Sequence, residues 1–83
     1  MRATFEPEID MANIYLTEPN GAQAVAQTEP LLVDLRSGAR RLINLDFDNG
    51  GRLIGIEIVG AADALPKSLL AAAEKPRRST RDG

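Results

Sequence analysis

From Ile43 to Val59 the chain alternates. Ile43, Leu45 and Phe47 are interleaved with Asn44, Asp46 and Asp48, and Ile54, Ile56 and Ile58 with Gly55 and Glu57. Alternation at period two marks a strand with one buried face, because successive side chains point to opposite sides. Between the two runs lies Asn49-Gly50-Gly51. Both Asn49-Gly50 and Gly50-Gly51 suit a two-residue primed turn, which needs positive φ at its centre. A Gly50-Gly51 turn pairs Phe47 with Ile54, Leu45 with Ile56 and Ile43 with Ile58. An Asn49-Gly50 turn shifts this pairing by two and keeps the faces. A three-residue loop would shift it by one and set an isoleucine beside Asp46, which disfavours it.

The same pattern extends toward the N-terminus. Arg2 to Phe5 reads as a first strand, followed by a turn over Glu6-Pro7-Glu8-Ile9-Asp10. Met11 to Thr17 reads as a second strand, with Ala12, Ile14 and Leu16 on one face and Asn13 and Tyr15 on the other. Glu18-Pro19-Asn20-Gly21 is a turn signal. Ala22 to Glu29 is a weaker, alanine-rich strand that Pro30 either breaks or marks as a sheet edge. Leu31 to Leu35 reads as another short strand, and Ser37-Gly38 turns the chain toward Ile43. The strand count between residues 30 and 42 stays open.

Beyond Val59 the period changes. Gly60-Ala61-Ala62 reads as a connector, and Pro66 suits the first turn of a helix. Lys67 to Lys75 is built of helix formers, with Leu65, Leu69, Leu70 and Ala73 on or near one face. So short a helix persists only when docked. The expected fold is α+β: a small antiparallel β-sheet of four to six strands with one C-terminal α-helix packed on it. Residues 1–75 form a single sheet-plus-helix domain and residues 76–83 a disordered basic tail.

Composition narrows the setting. With 83 residues and no cysteine, the chain has no disulfide and no thiolate chemistry. Small secreted domains usually need such staples, so a cytoplasmic setting is expected. The first ten residues lack an apolar core of signal-peptide length, and no run approaches the ~20 apolar residues of a membrane span. The absence of histidine removes the common proton shuttle and, with cysteine also missing, the usual zinc ligands. Charge is uneven: residues 1–66 carry five basic and ten acidic side chains, residues 67–83 five basic and two acidic. An acidic body repels phosphates and does not suggest a nucleic-acid surface.

Two stretches together carry a resemblance. The first is Phe5-Glu6-Pro7-Glu8-Ile9-Asp10 followed by Ile14-Tyr15-Leu16. The second runs Asp46-Phe47-Asp48-Asn49-Gly50-Gly51-Arg52-Leu53 and on through Ile54-Gly55-Ile56-Glu57-Ile58. An aromatic, an acidic proline turn with an aspartate, a tyrosine strand, an acidic aromatic strand, a Gly-Arg turn and a Gly-Ile-Glu-Ile strand resemble the domain of unknown function 2283 family of small bacterial proteins. The resemblance covers about two thirds of the chain, and residues 30–42 depart from it as a longer middle segment. It implies a small sheet-based fold and no established activity. Members encoded beside a small toxin-like protein imply an antitoxin-like partner role, by association alone.

Candidate chemistry is sparse. Asp10, Asp46, Asp48 and Glu57 are the carboxylates that invite a metal or acid–base reading, since hard cations take carboxylate oxygens. The plainer reading makes them the solvated face of a sheet, with Asp10 and Asp48 supporting turns. Gly50-Gly51-Arg52 could be drawn as a phosphate cradle, but it lacks the helix N-terminus and lysine of a phosphate-binding loop. Gly55 reads as a place of close approach or as room for a bulky neighbour such as Phe47 or Tyr15. No serine or threonine has a base partner, so no catalytic residue, no metal ligand and no cofactor site is assigned and no enzyme activity is expected. The function expected is a protein-interaction module, an antitoxin-like partner of a neighbouring gene product, acting as a homodimer or with a small protein partner and not at a membrane. The alternative is a nucleic-acid accessory protein acting through Arg77, Arg78 and Arg81 of the basic tail.

Overall fold

A computed structural model describes residues 1–17 and 25–75. The alternating segments form β1 (Arg2–Glu6), β2 (Met11–Tyr15), β3 (Gln27–Asp34), β4 (Arg40–Phe47) and β5 (Leu53–Val59). They pair antiparallel throughout, in the spatial order β1-β2-β5-β4-β3. Register follows the faces. Leu31, Ile43, Ile58, Ala12 and Phe5 lie in one cross-strand row, and Leu45, Ile56, Ile14 and Ala3 in the next on the same face. The core forms there: Ala12, Ile58 and Ala61 are buried, with Phe5, Ile14, Ile56, Ala64, Leu65 and Leu70 packed around them.

The β4–β5 hairpin corrects the expected turn. Gly51, at φ 80°, ends a three-residue loop. Its N–H donates to the Asp48 carbonyl (3.0 Å), and the Asp48 N–H donates to the Arg52 carbonyl (2.9 Å). Such a loop alone would set Ile54 against Asp46. Instead β5 carries a bulge: Phe47 faces Leu53, Asp46 faces Gly55, and Ile54 is the extra residue between them. One unpaired residue undoes the one-residue shift of the loop. The expected pairs Leu45 with Ile56 and Ile43 with Ile58 therefore stand, whereas Phe47 with Ile54 does not.

The middle of the chain holds one strand where two were expected. β3 runs unbroken from Gln27 to Asp34 through Pro30, and residues 22–24 of the expected alanine-rich strand lie outside the described residues. Pro30 is tolerated because β3 is an edge. The Leu35 N–H donates to the Ala39 carbonyl (2.8 Å), which makes these a bonded pair. By alternation Pro30 and Asn44 are then a non-bonded pair, and the missing N–H of Pro30 faces the open side of the sheet.

Two short helices, α1 (Ala61–Ala64) and α2 (Lys67–Ala72), replace the single expected one. The reason is Pro66. The residue before a proline is pushed to extended geometry, and Leu65 sits at φ −115°, ψ 152°. The helix that was expected to reach Lys75 ends at Ala72. Glu74 then runs beside β1: its N–H donates to the Ala3 carbonyl (2.9 Å) and its carbonyl accepts from Phe5 (2.9 Å). That contact covers the outer edge of β1, and β3 is the other edge strand of the sheet. Residues 76–83, the expected basic tail, lie outside the described residues.

Candidate functional site

The four carboxylates part company in the fold. Asp10 sits at φ 54° at the end of the β1–β2 turn. Its Oδ1 accepts the Ala62 N–H (2.8 Å), and its carbonyl accepts the N–H groups of Gly60 (2.9 Å) and Ala61 (3.1 Å). These are orphan donors of the first turn of α1, so Asp10 caps a helix some fifty residues away in sequence. Asp48 lies inside the hairpin loop. Its Oδ1 accepts the N–H groups of Gly50 and Arg52, both at 2.9 Å. The Arg52 amide above all holds the Asp48 carboxyl below its ordinary range; the Gly50 amide and the Arg52 guanidinium add to this against an opposing effect of burial. A phosphate cradle is ruled out at this loop, because the amides that would bind an anion already bind Asp48.

Asp46 and Glu57 come together on the sheet face opposite the helices. Asp46 is only 6% exposed and accepts the Thr28 hydroxyl at 2.6 Å. The Glu57 carboxyl is pushed up, chiefly by the hydrogen bond it shares with Asp46, then by burial and by the charge of Asp46; Asn44 opposes by hydrogen-bonding the charged form. Gly55 makes room for this pair. A Cβ there would lie 3.4 Å from Asp46 Oδ2 and 3.5 Å from the Ile14 carbonyl, so the close neighbours are Asp46 and backbone rather than Phe47 or Tyr15. Sequence reading missed the polar row that continues from Glu57: Asn44 on β4, Asn13 on β2 and Thr4 on β1. Its signal was the cross-strand register, which no single strand reveals. Among the described residues no three histidine, cysteine, aspartate or glutamate side chains are placed to hold a metal ion.

The shared hydrogen bond has a pH consequence. A carboxyl whose pKa is raised on folding stabilises the fold fully below its unfolded value, about 4.3, and that contribution is lost as pH rises through the raised folded value. Glu57→Gln imitates the protonated form. Its stability relative to the parent protein should therefore grow between pH 4 and pH 7, as read by urea denaturation at a series of pH values. A difference that stays constant across that range would contradict the shared-proton geometry.

A second exposed surface among the described residues is apolar. The helices pack over β1, β2 and β5, whereas every residue of β3 is exposed except half-buried Val33. On the helix side of the β3–β4 hairpin lie Leu31, Val33, Leu35, Ile43 and Leu45 together with Glu29 and Arg41, with Leu31 at 45% exposure. On the other side Leu32, Leu42, Val59 and Met11 form a cross-strand stripe, with Leu32 at 54%. A large side chain exposed alone is ordinary; a contiguous row on both faces of one hairpin is not.

Among the described residues no helix is long and apolar enough to cross a membrane. Searches of curated proteins and of solved structures find no match. The model of one family, described as protein of unknown function DUF2283, matches residues 2–61. That span runs from the first residue of β1 through β5 to the first residue of α1, and so takes in the whole sheet and the Asp10 cap. The chain belongs to the DUF2283 family.

Proposed function

We propose that this protein is a protein-interaction module, an antitoxin-like partner of a small neighbouring gene product, working in the cytoplasm and without catalytic activity of its own. The observation that carries the reading is the β3–β4 hairpin, which exposes large aliphatic side chains on both faces. Stable domains bury a sheet face against a second layer, and among the described residues β3 stays exposed except at half-buried Val33. The chemistry of the partner follows from the surroundings of the Leu32–Leu42–Val59 stripe. Glu6 ends the same row, and Asp46 and Glu57 follow on the same face. An apolar stripe suits a partner with apolar anchors.

The test is co-expression of the tagged chain with the product of the adjacent gene. The two should co-purify as a stable complex, and Leu42→Lys, which puts a cation in the middle of the stripe, should abolish the capture while leaving the circular dichroism spectrum unchanged. Undiminished capture by the folded Leu42→Lys variant would sink this reading.

A further inference from the structure

We infer that Asn49 is a site of spontaneous deamidation and that Asp48 governs its rate. Asn49 is followed by glycine, and both residues are exposed in the β4–β5 loop. Deamidation at such a pair begins at the glycine. The Gly50 nitrogen gives up its proton and bonds to Asn49 Cγ. The Cγ–Nδ2 bond breaks, and the side-chain nitrogen leaves as ammonia. The five-membered imide that results then takes up one water. Opening at Cγ gives aspartate; opening at the main-chain carbonyl gives isoaspartate. Glycine opposes this least of all residues, since it brings no Cβ to crowd the attacking nitrogen.

Two features of the folded loop stand against ring closure, and both run through Asp48. The first is conformation. The Gly51 N–H donates to the Asp48 carbonyl (3.0 Å), so Asn49 and Gly50 are the central residues of a β-turn. Neither has positive φ, which leaves a type I turn with ψ of Asn49 at about −30°. Ring closure needs the Gly50 nitrogen and the Asn49 Cβ eclipsed across the Cα–C bond. At that ψ they stand roughly a quarter turn apart.

The second is the proton. The Gly50 N–H donates to Asp48 Oδ1 at 2.9 Å. The same oxygen accepts the Arg52 N–H at 2.9 Å, which closes the loop and holds the carboxylate in place. A carboxylate bonded to the N–H opposes loss of that proton, because the amide anion would face a like charge at contact distance. Arg52 is the neighbouring cation, its guanidinium 3.6 Å from Asp48 Oδ2, but its side chain is 80% exposed and solvent screens its effect.

The reaction therefore proceeds from molecules whose loop has opened, and conversion of Asn49 records such openings. The product does not fit back. Isoaspartate carries the main chain through Cβ and adds one atom to a loop whose length the bulge at Ile54 matches. Either product also sets a second carboxylate beside Asp48.

Peptide mapping by mass spectrometry of the full chain, aged in mildly alkaline buffer with and without urea, tests this. Asn20-Gly21 is a second such pair, and in urea the two should convert at similar rates. In the folded parent Asn49 should convert at least about tenfold more slowly than in urea, the factor that one hydrogen bond to a charged group is worth. Asp48→Ala should recover most of that factor under folding conditions, with its circular dichroism spectrum unchanged. Asp48→Ser, which keeps an oxygen acceptor, should fall between. Equal rates for the folded and unfolded parent overturn the inference, and so does a folded Asp48→Ala variant no faster than the parent. An Asn49 that stays intact in urea overturns it too. If Asp48→Ala does not fold, exchange of the Gly50 amide proton in the parent decides, since it passes through the same amide anion. Exchange as fast in the folded protein as in urea overturns the inference; exchange slowed at least about tenfold supports it.

Discussion

Ile58→Ala is expected to lower unfolding stability by about 2–5 kcal/mol, the largest effect of any single aliphatic truncation in this chain. Ile58 is 3% exposed, between Ala12 and Ala61, and Phe5, Ile14, Ile56, Leu65 and Leu70 border the same cluster. Two of its closest companions are alanines, which have no side chain to lean into the space vacated. The cavity therefore persists, and the cost should fall in the upper part of that range. Ile56 stands on the same face but is half-buried, so Ile56→Ala should cost about half as much. Glu57→Ala, between them on the opposite face, should cost least of the three. Urea denaturation of the three variants, with unchanged slopes, checks the order. If Glu57→Ala matches Ile58→Ala, the two faces of β5 have been assigned wrongly.

Asp10→Ala should cost about 2 kcal/mol, large for a turn residue outside the core. Two effects add. The Ala62 N–H loses its acceptor, and loss of a helix N-cap costs about 0.5–2 kcal/mol. Alanine also lacks the local side-chain bonding that lets aspartate occupy positive φ, and left-handed geometry costs it about 1 kcal/mol or more. The contrasts separate these effects. Asp10→Asn keeps an oxygen acceptor and tolerates φ 54°, so it should stay within about 0.5 kcal/mol of the parent. Asp10→Gly removes the strain but not the lost acceptor and should fall between. The carbonyl of residue 10 still accepts from Gly60 and Ala61 in every variant, so the docking of α1 should loosen rather than vanish. Thermal melts of the series test this, and an Asp10→Asn variant as damaged as Asp10→Ala would rule out the capping role.

The carboxylates illustrate how far chemistry was legible before the fold. Alternation put Asp46 and Glu57 on one face, and there they meet. Alternation also grouped Asp48 with them, but Asp48 turns into its own loop to hold the amides of Gly50 and Arg52. The loop length decided that, and loop length depends on which glycine takes positive φ. Either of two glycines could, and only Gly51 does. Asp10 was readable as a turn residue from Glu6-Pro7-Glu8 before it. Its role at α1 needed a contact across the molecule, and Asn13, Asn44 and Thr4 joined the polar face only through strand order.

What the sequence determined by itself was local and periodic. Alternating aliphatics at Ile43 to Phe47 and Ile56 to Ile58 imposed strands and chose their buried face, because a one-residue slip would expose every isoleucine. Proline at position 66 marked the start of a helix, where its missing N–H costs nothing. What only the tertiary structure decided were the relations between segments. The bulge at Ile54 exists because a three-residue loop and a fixed apolar face demand incompatible registers, and one unpaired residue reconciles them. Pro30 lies within a strand instead of ending one because β3 fell at the edge of the sheet, where its missing N–H meets no partner. The exposure of β3 among the described residues has the same origin: how far two short helices reach over a five-stranded sheet is set by packing distances between segments, which no residue pattern along the chain encodes.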